Sequence, residues 1–191
     1  MLATSSALAR LAFATIAALA LAGCQTLVRE DAGGEWVTIP PGSALVLHQP
    51  IPVPAGRTRV FFVAGRLSSS SYASAPTCGL EVRRLDWERV QTIAAGRYPI
   101  EQVQHYWTLV SRLPVPSAVA WRLADYGADS DSGGNPMIRE GYHLWLGGLV
   151  DPNLMRLTCL GLFDDAATAK PPTLTEMRAA LGGLATIDIA D

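Results

Sequence analysis

Apolar and polar residues alternate with a period of two over much of the chain, and that period predicts strands. Within residues 43–48, Leu45 and Leu47 point opposite to Val46. Pro50, Pro52 and Pro54 keep the next stretch extended and Ala55-Gly56 turns it. Residues 57–65 then form a second strand, Val60 and Phe62 on one face, Phe61 and Val63 on the other, and the two runs together suggest a hairpin. A serine-rich loop at 68–77 carries no period, and a strand follows at 78–84. Residues 98–110 fit two periods. Ile100, Val103, Trp107 and Val110 have helical spacing, whereas Val103, His105, Trp107 and Leu109 alternate; Pro99 and the surrounding strands favour the strand. Val119, Trp121 and Leu123 give another short strand, and residues 142–149 and 154–163 pair across the turn signal Asp151-Pro152-Asn153.

One helix is expected in the C-terminal part, at about residues 173–184. Thr173 or Thr175 caps it, Glu176 lies in its first turn, Leu174, Met177 and Leu181 form its apolar stripe, and Gly182-Gly183 ends it. Short strands at regular spacing with one late helix predict a mainly β fold: an antiparallel sandwich or partly open barrel with the helix packed across an end.

The first residues carry a different signal. Arg10 precedes an uncharged run over residues 11–21, the pattern of a secretory signal, and the run is shorter than the ~20 residues a transmembrane helix needs. Directly behind it, Leu21-Ala22-Gly23-Cys24 resembles the lipobox of bacterial lipoprotein precursors. That resemblance implies cleavage before Cys24, acylation of Cys24, and a mature chain held on a membrane by two or more acyl chains. Gln25 in the following position implies, by the same analogy, the periplasmic face of the outer membrane over the inner membrane. Residues 1–23 then read as signal peptide, 24–34 as lipidated N-terminus and tether, and 35–191 as a single β-rich domain.

An exported chain changes the meaning of its cysteines. With Cys24 committed to lipid, Cys78 and Cys159 remain, each sharing parity with apolar neighbours, and a disulfide between them is expected. Net charge is −2, one unit more negative once Arg10 is removed, and the basic residues are scattered, which gives no footprint for nucleic acid.

Several runs also resemble a family of uncharacterised proteobacterial lipoproteins: Pro41-Gly42-Ser43-Ala44-Leu45, Ile51-Pro52-Val53-Pro54-Ala55-Gly56, Phe61-Phe62, Cys78-Gly79-Leu80-Glu81-Val82-Arg83, Arg156-Leu157-Thr158-Cys159, and the closing run from Leu174 to Gly182. The resemblance spans most of the mature chain, with about residues 113–140 outside it, and implies no activity and no functional residues.

Candidate chemistry is sparse. Asp129, Asp131, Gly133, Gly134 and Glu140 have the spacing of a calcium loop, but Gly133 offers no side-chain ligand, Pro136 occupies the eighth position, and a strand follows where a helix should; a solvated loop is the simpler reading. His48, His105 and His143 lie outside metal-ligand spacing of one another. Residues 68–71 lack a nucleophile elbow, and the carboxylate pairs Asp86/Glu88 and Asp164/Asp165 suit solubilising loops. Trp36, Trp87, Trp107, Trp121 and Trp145 fill a core or line an apolar pocket. The sequence thus points to an envelope lipoprotein acting as a structural or interaction module, without catalytic residues or cofactor, its partners the membrane through its anchor and an envelope protein. A lipid-, glycan- or small-ligand-binding β domain would show a tryptophan-lined cavity. A periplasmic hydrolase would bring two of His48, His105, His143, Asp86 and Glu88 into one cleft.

Overall fold

The strands are β1 (Leu27–Arg29), β2 (Trp36–Thr38), β3 (Ala44–Leu47), β4 (Ile51–Val53), β5 (Arg57–Val63), β6 (Arg66–Ser68), β7 (Thr77–Asp86), β8 (Gln91–Ile93), β9 (Gly96–Leu109), β10 (Met137–Leu146), β11 (Leu154–Asp165) and β12 (Ala185–Asp188); helix α1 (Leu174–Leu181) precedes β12. This computed structural model describes residues 26–31, 33–71, 75–110, 136–148 and 150–190. Eight strands form one antiparallel sheet in the order β12-β3-β9-β10-β11-β7-β5-β6, and β1-β2 and β4-β8 form two-stranded pieces beside it. The sheet curls into a half-barrel, so the fold is mainly β with a single C-terminal helix among the described residues.

What closes the inside of the curl is α1, not a second full sheet. It touches β5, β7 and β12, which lie towards opposite edges of the sheet, and buries Leu174, Met177, Ala180 and Leu181 against Phe62, Cys78, Leu80, Tyr142, Leu144 and Leu157. The helix therefore lies on the inner face, where an end-on position was expected, because its apolar stripe supplies the layer a sandwich would need. Thr173 starts it with a reciprocal capping box: Thr173 Oγ1 accepts from the Glu176 N–H, and Glu176 Oε2 accepts from the Thr173 N–H.

Local readings fare unevenly. Residues 98–110 are strand, as Pro99 suggested, within the long β9, whose first residues pair with β3 and whose remainder pairs with β10. β10 and β11 pair around residues 151–153, where Asp151 Oδ1 accepts from the Asn153 N–H. The expected hairpin between residues 43–48 and 57–65 is absent: β3 pairs with β9 and β12, while β5 pairs with β6 and β7. The proline stretch instead forms β4, which pairs with β8 through Ile51 and Val53, and carries the chain from one sheet edge to the other. The tether is also shorter than residues 24–34. Leu27–Arg29 pair with β2, and Val28 is fully buried in the core, because the short apolar pair Leu27-Val28 finds a partner strand across a six-residue connection. The strand expected around Val119, Trp121 and Leu123 lies outside the described residues, as does Cys24.

Cys78 and Cys159 face each other directly across β7 and β11, with Cα atoms 4.0 Å apart and sulfurs at disulfide distance. Shared parity with apolar neighbours aims both sulfurs at the core, since register across an antiparallel pair puts opposed residues on one face.

Candidate functional site

The outer face of the sheet, turned away from α1, carries the chemistry. Because opposed residues share a face, the strand registers assemble rows across it. Arg59, Glu81, Arg156, Trp145 and Gln102 form one row; Phe61, Gly79, Thr158, His143 and Gln104 form the next. Thr77, Leu160, Gly141 and Tyr106 follow, and past the bulge in β10 come Phe163, Arg139 and Thr108. Gly79 has a specific job here. A Cβ on it would stand 3.0 Å from the ring of Phe61, so only glycine lets that ring lie across β7.

Five polar side chains on this face are buried: Thr77, Glu81, Arg139, His143 and Thr158. Glu81 sits between two guanidinium groups, accepting from Arg59 Nη2 at 2.9 Å and from Arg156 Nε at 2.6 Å, and Arg156 in turn stacks 4.9 Å over Trp145. One carboxylate held by two cations leaves that cluster with a unit of positive charge. His143 Nδ1 lies 2.8 Å from Thr158 Oγ1, and Tyr106 packs on the imidazole with ring centroids 4.1 Å apart. Burial, assisted by the charges of Arg156 and Arg59 and opposed by Glu81, pushes the His143 pKa down to about 4, so the ring is neutral at pH 7.

Arg139 is only 7% exposed and is held by neutral acceptors alone. Its Nε donates to Gly161 O at 2.8 Å, Nη1 to Ser71 O at 3.0 Å, and Nη2 to Thr77 Oγ1 at 3.0 Å and Leu160 O at 3.2 Å. Among the described residues no carboxylate pairs with it, and burial pulls its pKa below the ordinary arginine value.

A cleft of about 470 Å³ opens on this face. Phe61, Tyr106, Leu109, Leu160 and Phe163 make its lining mostly apolar, and Arg59 and Arg139 also line it. The chain matches no family model, no curated protein and no solved structure. What the site can do is therefore read from its own geometry: it presents an apolar slot with three threonines, Thr77, Thr108 and Thr158, and two arginines in its lining.

The residues singled out from sequence fall elsewhere, with one exception. His48 is exposed and bonds Thr186 Oγ1 at 2.7 Å; His105 lies 3.5 Å from Glu140 on the face opposite His143. The three histidines do not converge, since strand pairing puts His105 and His143 on neighbouring strands but opposite faces. Asp86 Oδ1 caps a turn by accepting from the Glu88 and Arg89 N–H groups, which hold its pKa low, and Asp164 and Asp165 likewise accept from nearby turn amides. No two side chains among His48, His105, His143, Asp86 and Glu88 hydrogen-bond each other among the described residues, so the hydrolase arrangement does not form. Of the calcium-loop residues Asp129 and Asp131 lie outside the described residues, while Glu140 sits within strand β10 and pairs with His105. Among the described residues no three His, Cys, Asp or Glu side chains gather as metal ligands.

Among the described residues no tryptophan lines the cleft. Trp36, Trp87 and Trp107 are 50, 75 and 56% exposed, Trp145 stacks with Arg156 beside the cleft, and Trp121 lies outside the described residues. Sequence reading missed Arg59, Phe61, Tyr106 and Arg139, although one signal was present: Glu81 interrupts the otherwise apolar start of β7 and needs a cation on each side.

Proposed function

We propose that the protein is a lipid-anchored envelope protein, held at the periplasmic face of the outer membrane, whose outer sheet face binds a small amphipathic ligand. The cleft carries this reading. Its volume of about 470 Å³ falls within the ~300–1,000 Å³ typical of ligand sites, and its apolar lining with a few convergent polar groups is the usual composition of such sites. The lipobox-like Leu21-Ala22-Gly23-Cys24 supports the anchor.

The test is native mass spectrometry of the acylated protein released from its own membranes, alongside a variant in which Gly79→Leu fills the cleft floor. A bound small molecule retained by the native chain and lost from Gly79→Leu supports the reading. An unliganded native chain that also fails to take up alkyl ligands in titration sinks it and leaves a scaffold role in its place.

A further inference from the structure

We infer that the ligand of this cleft is a single-chain amphiphile with an anionic head, a free long-chain fatty acid, held by Arg139 with Arg59. The inference rests on the binding reading above and adds the charge and chain number of the ligand.

Charge balance on the cleft face is the first argument. Among the described residues lining or flanking the cleft, Arg59, Arg139 and Arg156 meet one acid, Glu81, and His143 is neutral; the Arg59 side chain is 42% exposed and its charge reaches solvent, whereas Arg139 is 7% exposed and has no acidic partner among the described residues. A charge in that setting gives up much of its solvation and calls for an opposite charge, and for Arg139 neutral carbonyls and a hydroxyl provide only part of the compensation.

Donor arithmetic is the second. A guanidinium carries five N–H groups, and Arg139 spends four of them, one from Nε, one from Nη1 and two from Nη2. One Nη1 hydrogen remains on a side chain that lines the cleft. Thr108 lines the same space beside Thr77 and Thr158, whose hydroxyls are bonded to Arg139 and His143. A carboxylate there gains a charge-assisted hydrogen bond and the opposite charge the face lacks.

The apolar lining fixes the remainder. Phe61, Leu109, Leu160 and Phe163 suit an alkyl chain, and about 470 Å³ lies towards the small end of ligand sites, which fits one chain better than a diacyl lipid.

Photo-crosslinking of the full acylated protein in its own membranes tests this. The probes are a diazirine-bearing long-chain fatty acid and the matching fatty alcohol, at mildly alkaline pH where the acid is ionised, with crosslinked positions mapped by peptide mass spectrometry. The acid is expected to label cleft residues at least about tenfold more than the alcohol, with Arg139→Met and Arg59→Met each erasing most of that preference. If Arg139→Met does not fold, Arg59→Met decides the point: a reduced preference for the acid supports the arginine-held head and an undiminished one overturns it. Equal labelling of the cleft by acid and alcohol overturns the anionic head while the binding reading stands. Labelling of the cleft by neither probe overturns both.

Discussion

His143 is a neutral imidazole kept so by burial and by two neighbouring arginines, and this makes acid a specific threat to the fold. Its folded-state pKa of about 4 lies below the ~6.5 of an unfolded histidine, so the unfolded chain binds the proton first. Stability is therefore complete above about pH 6.5 and falls as pH drops towards 4, by on the order of 3 kcal/mol at the lower end. Urea melts across that window should show the slope, and His143→Gln should flatten it. At the cysteines, denatured but unreduced protein isolated from its own cells should show no reactive thiol from Cys78 or Cys159. Reduction should cost roughly 4–5 kcal/mol in the chain-entropy model for a separation of 81 residues. Two reactive thiols would remove the bridge. The cysteine pairing was legible because alternation with Leu80, Val82 and Leu157 fixed the direction of both side chains. Arg139 was not legible. Its acceptors come from Ser71, Thr77, Leu160 and Gly161, on two strands and a loop far from it in sequence, and no local period announces such a convergence.

At the scale of elements, α1 depends on its first residue and on the turn that follows it. Removing the reciprocal cap with Thr173→Ala should cost about 1 kcal/mol, read as a lower chemical-denaturation midpoint with unchanged slope. Gly182, with φ of 57°, ends the helix where a Cβ would collide with Gly65, whose own N–H donates to Ala180 O. Gly182→Ala is expected to cost more than the cap, because it adds a backbone clash to an unfavourable φ. Circular dichroism melts of the two variants side by side check that ranking. Individual strands were readable from their period: β7 and β11 stand close to where alternation put them and residues 98–109 are strand, whereas β10 begins at Met137, within a stretch read as loop, and ends at Leu146 instead of residue 149. Pairing was harder to read. The supposed hairpin failed because Pro50, Pro52 and Pro54 suit a short strand at the rim as well as a turn, and the period of two says nothing about which neighbour a strand takes.

For the whole molecule, the half-barrel puts two kinds of interior to different use. The inner face is apolar and closed by α1, while the outer face buries charge around a cleft. Alternation marked the apolar face of each strand but neither the helix that closes it nor the buried charge opposite, since both faces of β7 and β11 are buried and alternation normally marks only one. The start of β1 at Leu27 bears on how such a body would live in the envelope. Two residues, Gln25 and Thr26, separate it from Cys24, and the three extended steps from Cys24 to Leu27 reach about 10 Å. Acylated there, the barrel has almost no leash: it would rest against the leaflet, with half-exposed Leu27 and Trp36 beside the headgroups, and could not patrol the periplasm. Lipid-borne quenchers should dim Trp36 in the wild type, and a long Gly-Ser insert before Thr26 should restore its emission. Any cargo or companion of a chain so anchored would be met at the bilayer surface, within the arm's length that those two residues permit.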